Sequence, residues 1–197
     1  MFKSIYKYEI KRLLKQSATY FYFAVFFTIT LLSILGSGGY FDGLPETDKE
    51  IRLLNSAHEI NFIFQYFNKF FLFLLPAIIG MVIYKDYRNN VHTILYSYPI
   101  KKPEYLLGKF LSALTIVFLI TLSIGIAFYL GEFILGKDNP MIGQTNYWGY
   151  ASAYFFFVWP NMFAYGLMIF VIAASLRNIY ACFIAVILFF FIQIMVD

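Results

Sequence analysis

The sequence predicts an all-α, polytopic helical membrane protein, with about five transmembrane helices after an N-terminal amphipathic helix. Three observations carry that expectation. Hydrophobic residues make up 61% of the 197 and charged residues only 13%, too little polar surface to cover a soluble globule. Apolar runs of roughly 20 residues, the length a helix needs to cross a hydrocarbon core about 30 Å thick, recur along nearly the whole chain. The basic residues are also segregated: eleven of the 15 Lys and Arg fall on one side of the predicted spans, Lys49, Arg52 and Lys137 fall on the other, and Lys69 lies within a span. That asymmetry predicts a cytoplasmic N-terminus in the inner membrane, and it makes the formal charge of +4 a matter of topology rather than of nucleic-acid binding.

The elements follow in order. Residues 1–16 set Phe2, Ile5, Tyr6, Ile10, Leu13 and Leu14 against Lys3, Lys7, Lys11, Arg12 and Lys15 at helical spacing, an amphipathic helix suited to an anionic membrane surface. The first span is expected over Ala18–Leu35, ended by Gly36, Ser37, Gly38 and Gly39. Its apolar run exceeds a signal-peptide core and its charged lead is long, which disfavours cleavage. An acidic outer loop over 40–59 leads to a second span over Phe62–Tyr84, and a basic cytoplasmic loop occupies 85–104. A third span over Tyr105–Leu135 is longer than one crossing requires. Tyr147–Val158 reads as an interfacial or re-entrant lead, with Trp148, Tyr150, Tyr154 and Trp159 at headgroup level, divided by Pro160-Asn161 from a fourth span ending at Leu176. Arg177-Asn178 forms an inner turn before a fifth span over Ile179–Val196. All of this is one transmembrane domain over 1–197. With five spans the C-terminus falls outside without a basic residue after it, so the chain is expected to be incomplete there.

Polar residues inside a span tend to face protein or water, because lipid offers them no partner. In the second span Asn61, Gln65, Asn68 and Lys69 fall near one helical face and are candidates for a translocation path; Lys69 could equally snorkel outward or pair with Glu132. Ser112, Ala113, Gly125 and Gly131 in the third span permit close helix approach. The single cysteine, Cys182, sits in an apolar run and reads as packing.

The loop over 85–104 carries the most specific pattern. Asp86 and Arg88 are followed by an amphipathic stretch over 86–96 with Val91, Ile94 and Leu95 on its apolar side. Next come Ser97-Tyr98-Pro99-Ile100, the basic pair Lys101-Lys102, and Tyr105-Leu106-Leu107-Gly108-Lys109 opening the third span. In order, spacing and topological side this resembles the first cytoplasmic loop of ABC type-2 transporter membrane domains, the exporter-like permeases. The likeness extends to the basic lead, the first span, the outer loop and the fourth span. It departs at Asn90-Val91, where the family often has Gly-Thr, and in the count of spans, since six are usual. The Tyr- and Phe-rich style, with Phe41-Asp42-Gly43 after the first span, is similar to permeases of the Bacteroidetes group, some of which continue into a second membrane half and a zinc aminopeptidase domain. No peptidase motif is present: His58-Glu59 is followed by Ile60, Asn61 and Phe62.

The resemblance implies a permease that docks an ABC ATPase subunit through this loop, the coupling loop. Its helix would lie in a groove of the ATPase, with Ile94 and Leu95 inward and Asp86, Arg88 and His92 at the rim. Pro99 and Pro103, which restrict the backbone around the basic pair, would make a stiff corner that transmits force to the third span. Gly108-Lys109 is no phosphate loop, since Pro103 stands where the upstream glycine belongs and Phe110 replaces Ser or Thr. ATP and Mg would therefore be bound by the partner ATPase, with no cofactor, metal or catalytic residue in this chain. Further partners implied are a second permease half, identical or not, and membrane lipid. Export is the implied direction, with lipid, peptide, drug and polysaccharide all open as cargo. Two other classes compete: a non-transport scaffold or anchor of an envelope complex, and an ion-coupled carrier, disfavoured because no acidic relay accompanies Lys69.

Overall fold

The structure, a computed structural model, describes residues 2–41, 53–90, 101–136 and 138–196. Among these residues the only regular elements are helices. They are α1 (Phe2–Leu14), α2 (Ser17–Ser37), α3 (Ala57–Arg88), α4 (Lys102–Leu135), α5 (Tyr147–Leu176) and α6 (Ile179–Val196). Helices α2 to α5 are each long and apolar enough to cross a membrane. The 18 residues of α6 are apolar but for Gln193, whose amide donates to the Tyr165 hydroxyl (2.8 Å), and span about 27 Å.

Helix α4 is the axis of the bundle. At 34 residues it is about 51 Å long, and its buried residues include Phe110, Ala113, Val117, Ile120, Ile124, Ala127 and Phe128, a stripe wide enough to receive several neighbours. Close approach is achieved by removing side chains. A Cβ on Gly131 would stand 2.1 Å from Ile34 of α2, and one on Gly166 of α5 would stand 2.8 Å from Ile79 of α3. Cys182 is buried where α6 packs on Gly80, in agreement with its reading as a packing residue.

Two helices carry π turns, and each is explained by a proline. Pro76 has no N–H for the carbonyl of Leu72, and the chain there tightens into i→i−3 bonds (Phe73 to Phe70, 3.2 Å; Leu75 to Leu72, 3.3 Å) before widening into the π turn Pro76–Gly80. Pro160 likewise follows the π turn Ala153–Val158, which absorbs the missing bond. Pro160 therefore does not divide this region: Tyr147–Leu176 is one helical run, and the re-entrant lead expected from the sequence is absent from it. Trp148 is exposed as expected, but Tyr154 points inward. Its hydroxyl donates to the Thr121 carbonyl and accepts the Gly125 N–H, both at 3.0 Å, the two groups that an α-helix ordinarily pairs with each other. Gly125 makes the room, since a Cβ there would lie 2.7 Å from that hydroxyl.

One end of the bundle holds α1, the last turn of α3, the start of α4 and Arg177, and is called here the basic end. At the other end the connections are clamped together. Asn55 exchanges two 2.9 Å hydrogen bonds with the Gly143 backbone, Leu54 donates to Met141, and Asn139 donates to the Gly38 carbonyl at the end of α2. Ser56 caps α3 by accepting the Glu59 N–H, and Asn146 caps α5 through Gly149.

The glycine contacts give a direct test. Gly131→Val should wedge α2 from α4 and lower the midpoint of thermal unfolding in detergent, by an overpacking cost of about 1–3 kcal/mol. Gly36→Ala, at a position with nothing within 4 Å of the added carbon, should not lower it.

Candidate functional site

The sequence makes α1 an amphipathic helix, and the structure shows what its apolar face meets. That face lies on α4 rather than apart from the bundle. Ile5 sits over Gly108, where an added Cβ would come within 3.0 Å, and the Tyr6 and Thr115 hydroxyls are 2.9 Å apart. The one acidic residue of α1, Glu9, shares this face with Ile5 and Leu13 and is only 4% exposed. A buried carboxylate needs a cation and hydrogen-bond donors. Glu9 has two cations, Arg12 one turn on (2.7 Å) and Lys109 of α4 (3.2 Å), although its Oε2 accepts no hydrogen bond.

Lys109 is the centre of the cluster. It is 2% exposed, and its ammonium has three donors to place. They reach the carboxylates of Glu9 and Asp86 and the Val82 carbonyl (3.3 Å), the last two on α3. Tyr105, one turn earlier on α4, donates its hydroxyl to Asp86 and lays its ring 5.1 Å from the ammonium. Two carboxylates and two cations thus balance in a buried site joining α1, α3 and α4. Nearby, Arg177 ends α5 in the left-handed region (φ 55°) and stacks its guanidinium 4.7 Å over the Tyr87 ring, which ties α5 to the same end of α3.

Asp86 is thus not at the rim of a loop helix. Helix α3 runs on past the expected end of the second span to Arg88, so Asp86 lies in its final turns and faces α4, 8% exposed. The helix stops at Asn89-Asn90, where Asn90 takes the left-handed conformation (φ 54°) that Asn tolerates better than most residues. Arg88 is exposed beside it, and Pro103 sits exposed in the first turn of α4, where a missing N–H costs nothing. His92, Ile94, Leu95 and Pro99 lie outside the described residues. In the chain, Asp86 precedes the segment that contains them, and Tyr105 and Lys109 follow it.

This arrangement joins three helices at the mouth of the loop whose pattern was most specific. The description "ABC-2 family transporter protein" belongs to the family that matches residues 3–197, essentially the whole chain. The chain belongs to the ABC-2 transporter family. It is a multi-pass membrane component of an ABC transporter, a class whose membrane part works with an ABC ATPase. No curated protein and no solved structure matches it.

Within this ABC-2 protein the polar residues of the second span keep to one arc of the regular helix over Ala57–Phe71 but differ in burial. Asn68 turns into the bundle at 6% exposure, and its Oδ1, like that of half-buried Asn61, is buried without a hydrogen-bond donor. Gln65, one turn earlier, is exposed at the border of a stripe with Phe62, Tyr66, Phe70 and Phe73, and Lys69 is half-buried. Glu132 takes hydrogen bonds from Tyr150 and, at 3.2 Å, from Thr145.

Removing the central cation while leaving its partners should be severe. Lys109→Met leaves the buried Asp86 without a cation and Glu9 with Arg12 alone, and should cost about 3–5 kcal/mol of stability. Combining it with Glu9→Gln and Asp86→Asn should recover a large part of that loss. Thermal unfolding of the single, double and triple variants in one detergent measures the non-additivity.

Proposed function

We propose that this chain is the permease subunit of an ABC transporter, moving a substrate across the cytoplasmic membrane with ATP and Mg bound, and ATP hydrolysed, by a separate subunit. The observation that carries the reading is the buried cluster around Lys109. In the chain Asp86 stands just before residues 91–100 and Tyr105 and Lys109 just after them, so a force on that segment would be delivered to α3, α4 and α1 together. An ATPase gripping the segment through Ile94 and Leu95, with Arg88 and His92 at the edge, would move three helices as a unit. A floppy attachment would absorb the motion instead.

Nucleotide drives such a change only through different affinities for two arrangements. ATP binding draws two ATPase subunits together, and each carries the basic end of one permease half with it. In this reading the N-terminus and the basic end face the cytoplasm, the side that the distribution of Lys and Arg favours. Two halves, identical or paired, enclose the path within the lipid. The stripe of α3 that carries Gln65 and Lys69, with Asn61 at its outer end, is left uncovered enough to face it. Export is the direction the family resemblance favours.

Two measurements test these statements. Affinity purification from native membranes should recover a P-loop ATPase with the chain, and Ile94→Asp with Leu95→Asp should lose it. Recovery of the intact chain with no ATPase, under conditions that hold other ABC complexes together, would leave the scaffold reading in front. For the path, Cys182→Ala removes the one thiol. In that background a cysteine replacing Gln65 should react with a water-soluble maleimide at least about tenfold faster than one replacing the exposed Leu188 of α6, because thiolate forms in water and not in lipid. Equal rates would assign the Gln65 face to lipid.

A further inference from the structure

At the end of the bundle away from the Lys109 cluster, two clefts of about 940 and 340 Å³ open along α4 and the start of α5. Tyr129 and Tyr147 border both, so the two form one groove. Its upper part is lined by Glu132, and its lower part by the apolar side chains of Leu122 and Ile126. The distance along α4 from Glu132 down to Gly125 is about 10 Å.

The chemistry of the groove is graded along that length. Glu132 is 5% exposed, and its two oxygens accept hydroxyls from Tyr150 and Thr145. Hydroxyl donors orient a carboxylate without cancelling its charge. Just below it, the rings of Tyr129 and Tyr147 are paired at 6.4 Å with a 39° tilt, and both are exposed. Aromatic faces attract cations, and more so where water is scarce. Lower still the lining is hydrocarbon, apart from the Tyr150 and Tyr154 hydroxyls, and these are engaged with Glu132 and with the α4 backbone.

A carboxylate, then a pair of rings, then an apolar slot make a site with a definite complement. We propose that this groove binds an amphipathic organic monocation, its ammonium head at Glu132 against the Tyr129 and Tyr147 rings and its apolar body along Leu122 and Ile126. An anionic or zwitterionic head would meet Glu132 with repulsion, and a bare metal ion would leave the rings and the slot unused.

Radiolabelled dodecyltrimethylammonium is the probe, and the full complex in dodecyl maltoside micelles, free of ammonium lipids, is the receptor. The labelled cation should bind saturably above the micelle background and be displaced by unlabelled cation at least about tenfold more effectively than by dodecanol, which has the same chain and no charge. Glu132→Gln should weaken binding about tenfold or more, and Tyr147→Leu, at an exposed ring, about threefold. Equal displacement by dodecanol, or binding that both variants leave unchanged, would overturn the proposal. Should Glu132→Gln fail to fold, the charge preference of the native protein together with Tyr147→Leu still decides. Added phosphatidylethanolamine, a zwitterion, should compete no better than dodecanol; displacement equal to that by the unlabelled cation would overturn the preference for a monocation. No nucleotide or transport is involved, so failure here would leave the permease reading standing.

Discussion

The structure depends on one buried ammonium. Lys109 sits one turn past Tyr105 in a largely apolar helix, and it has a tolerable energy only because two other helices supply carboxylates to it. That requirement fixes the relative position of α1, α3 and α4 more sharply than apolar packing could. Apolar side chains slide over one another at little cost, whereas a charge pair taken from water must keep its geometry. The amphipathic lead is thereby part of the bundle. Its Lys side chains at positions 3, 7 and 11 remain exposed for the membrane surface while Glu9 anchors the opposite face.

Away from this rigid end the long helices are built with local openings. The π turns at Pro76–Gly80 and Ala153–Val158 are loosened segments, and the Tyr154 hydroxyl takes a place in the backbone ladder of α4. Such features are where helices bend, because a side-chain partner can be exchanged for a backbone one at small cost. The contrast suits a permease subunit. On the proposed reading a stiff cluster would receive motion at one end, and the π turns in the middle of the bundle are the places where the helices would bend.

Much of this was legible in the chain. Hydropathy and the Lys and Arg distribution gave the helical class and the spans, and the run Ser97 to Lys109 pointed to the family. Boundaries shifted where helices continue past the hydrocarbon, as α3 does through Arg88. Pro160 read as a break because a proline removes one hydrogen bond; a π turn can absorb that loss, and periodicity does not register it. The charge cluster was missed although a signal existed. Glu9 recurs at helical spacing with Ile5 and Leu13 on the apolar side of α1, where an acidic residue has no business unless a cation waits across the interface. Its partner lies a hundred residues away, and only the fold brings the two together. The aromatic groove has no such signal, since its tyrosines are scattered through a chain that holds 17 of them.

The chain order of the cluster bears on how the protein is made. Glu9 and Asp86 both precede Lys109, so during synthesis the two counter-charges leave the ribosome before the lysine that needs them. A lone lysine entering a bilayer is unfavourable by a few kcal/mol. Here it arrives at a prepared, doubly acidic seat, and the third span can be captured as it inserts. The same order makes the N-terminal helix an early participant in membrane insertion, so that its removal would be felt first as a failure of α4 to integrate.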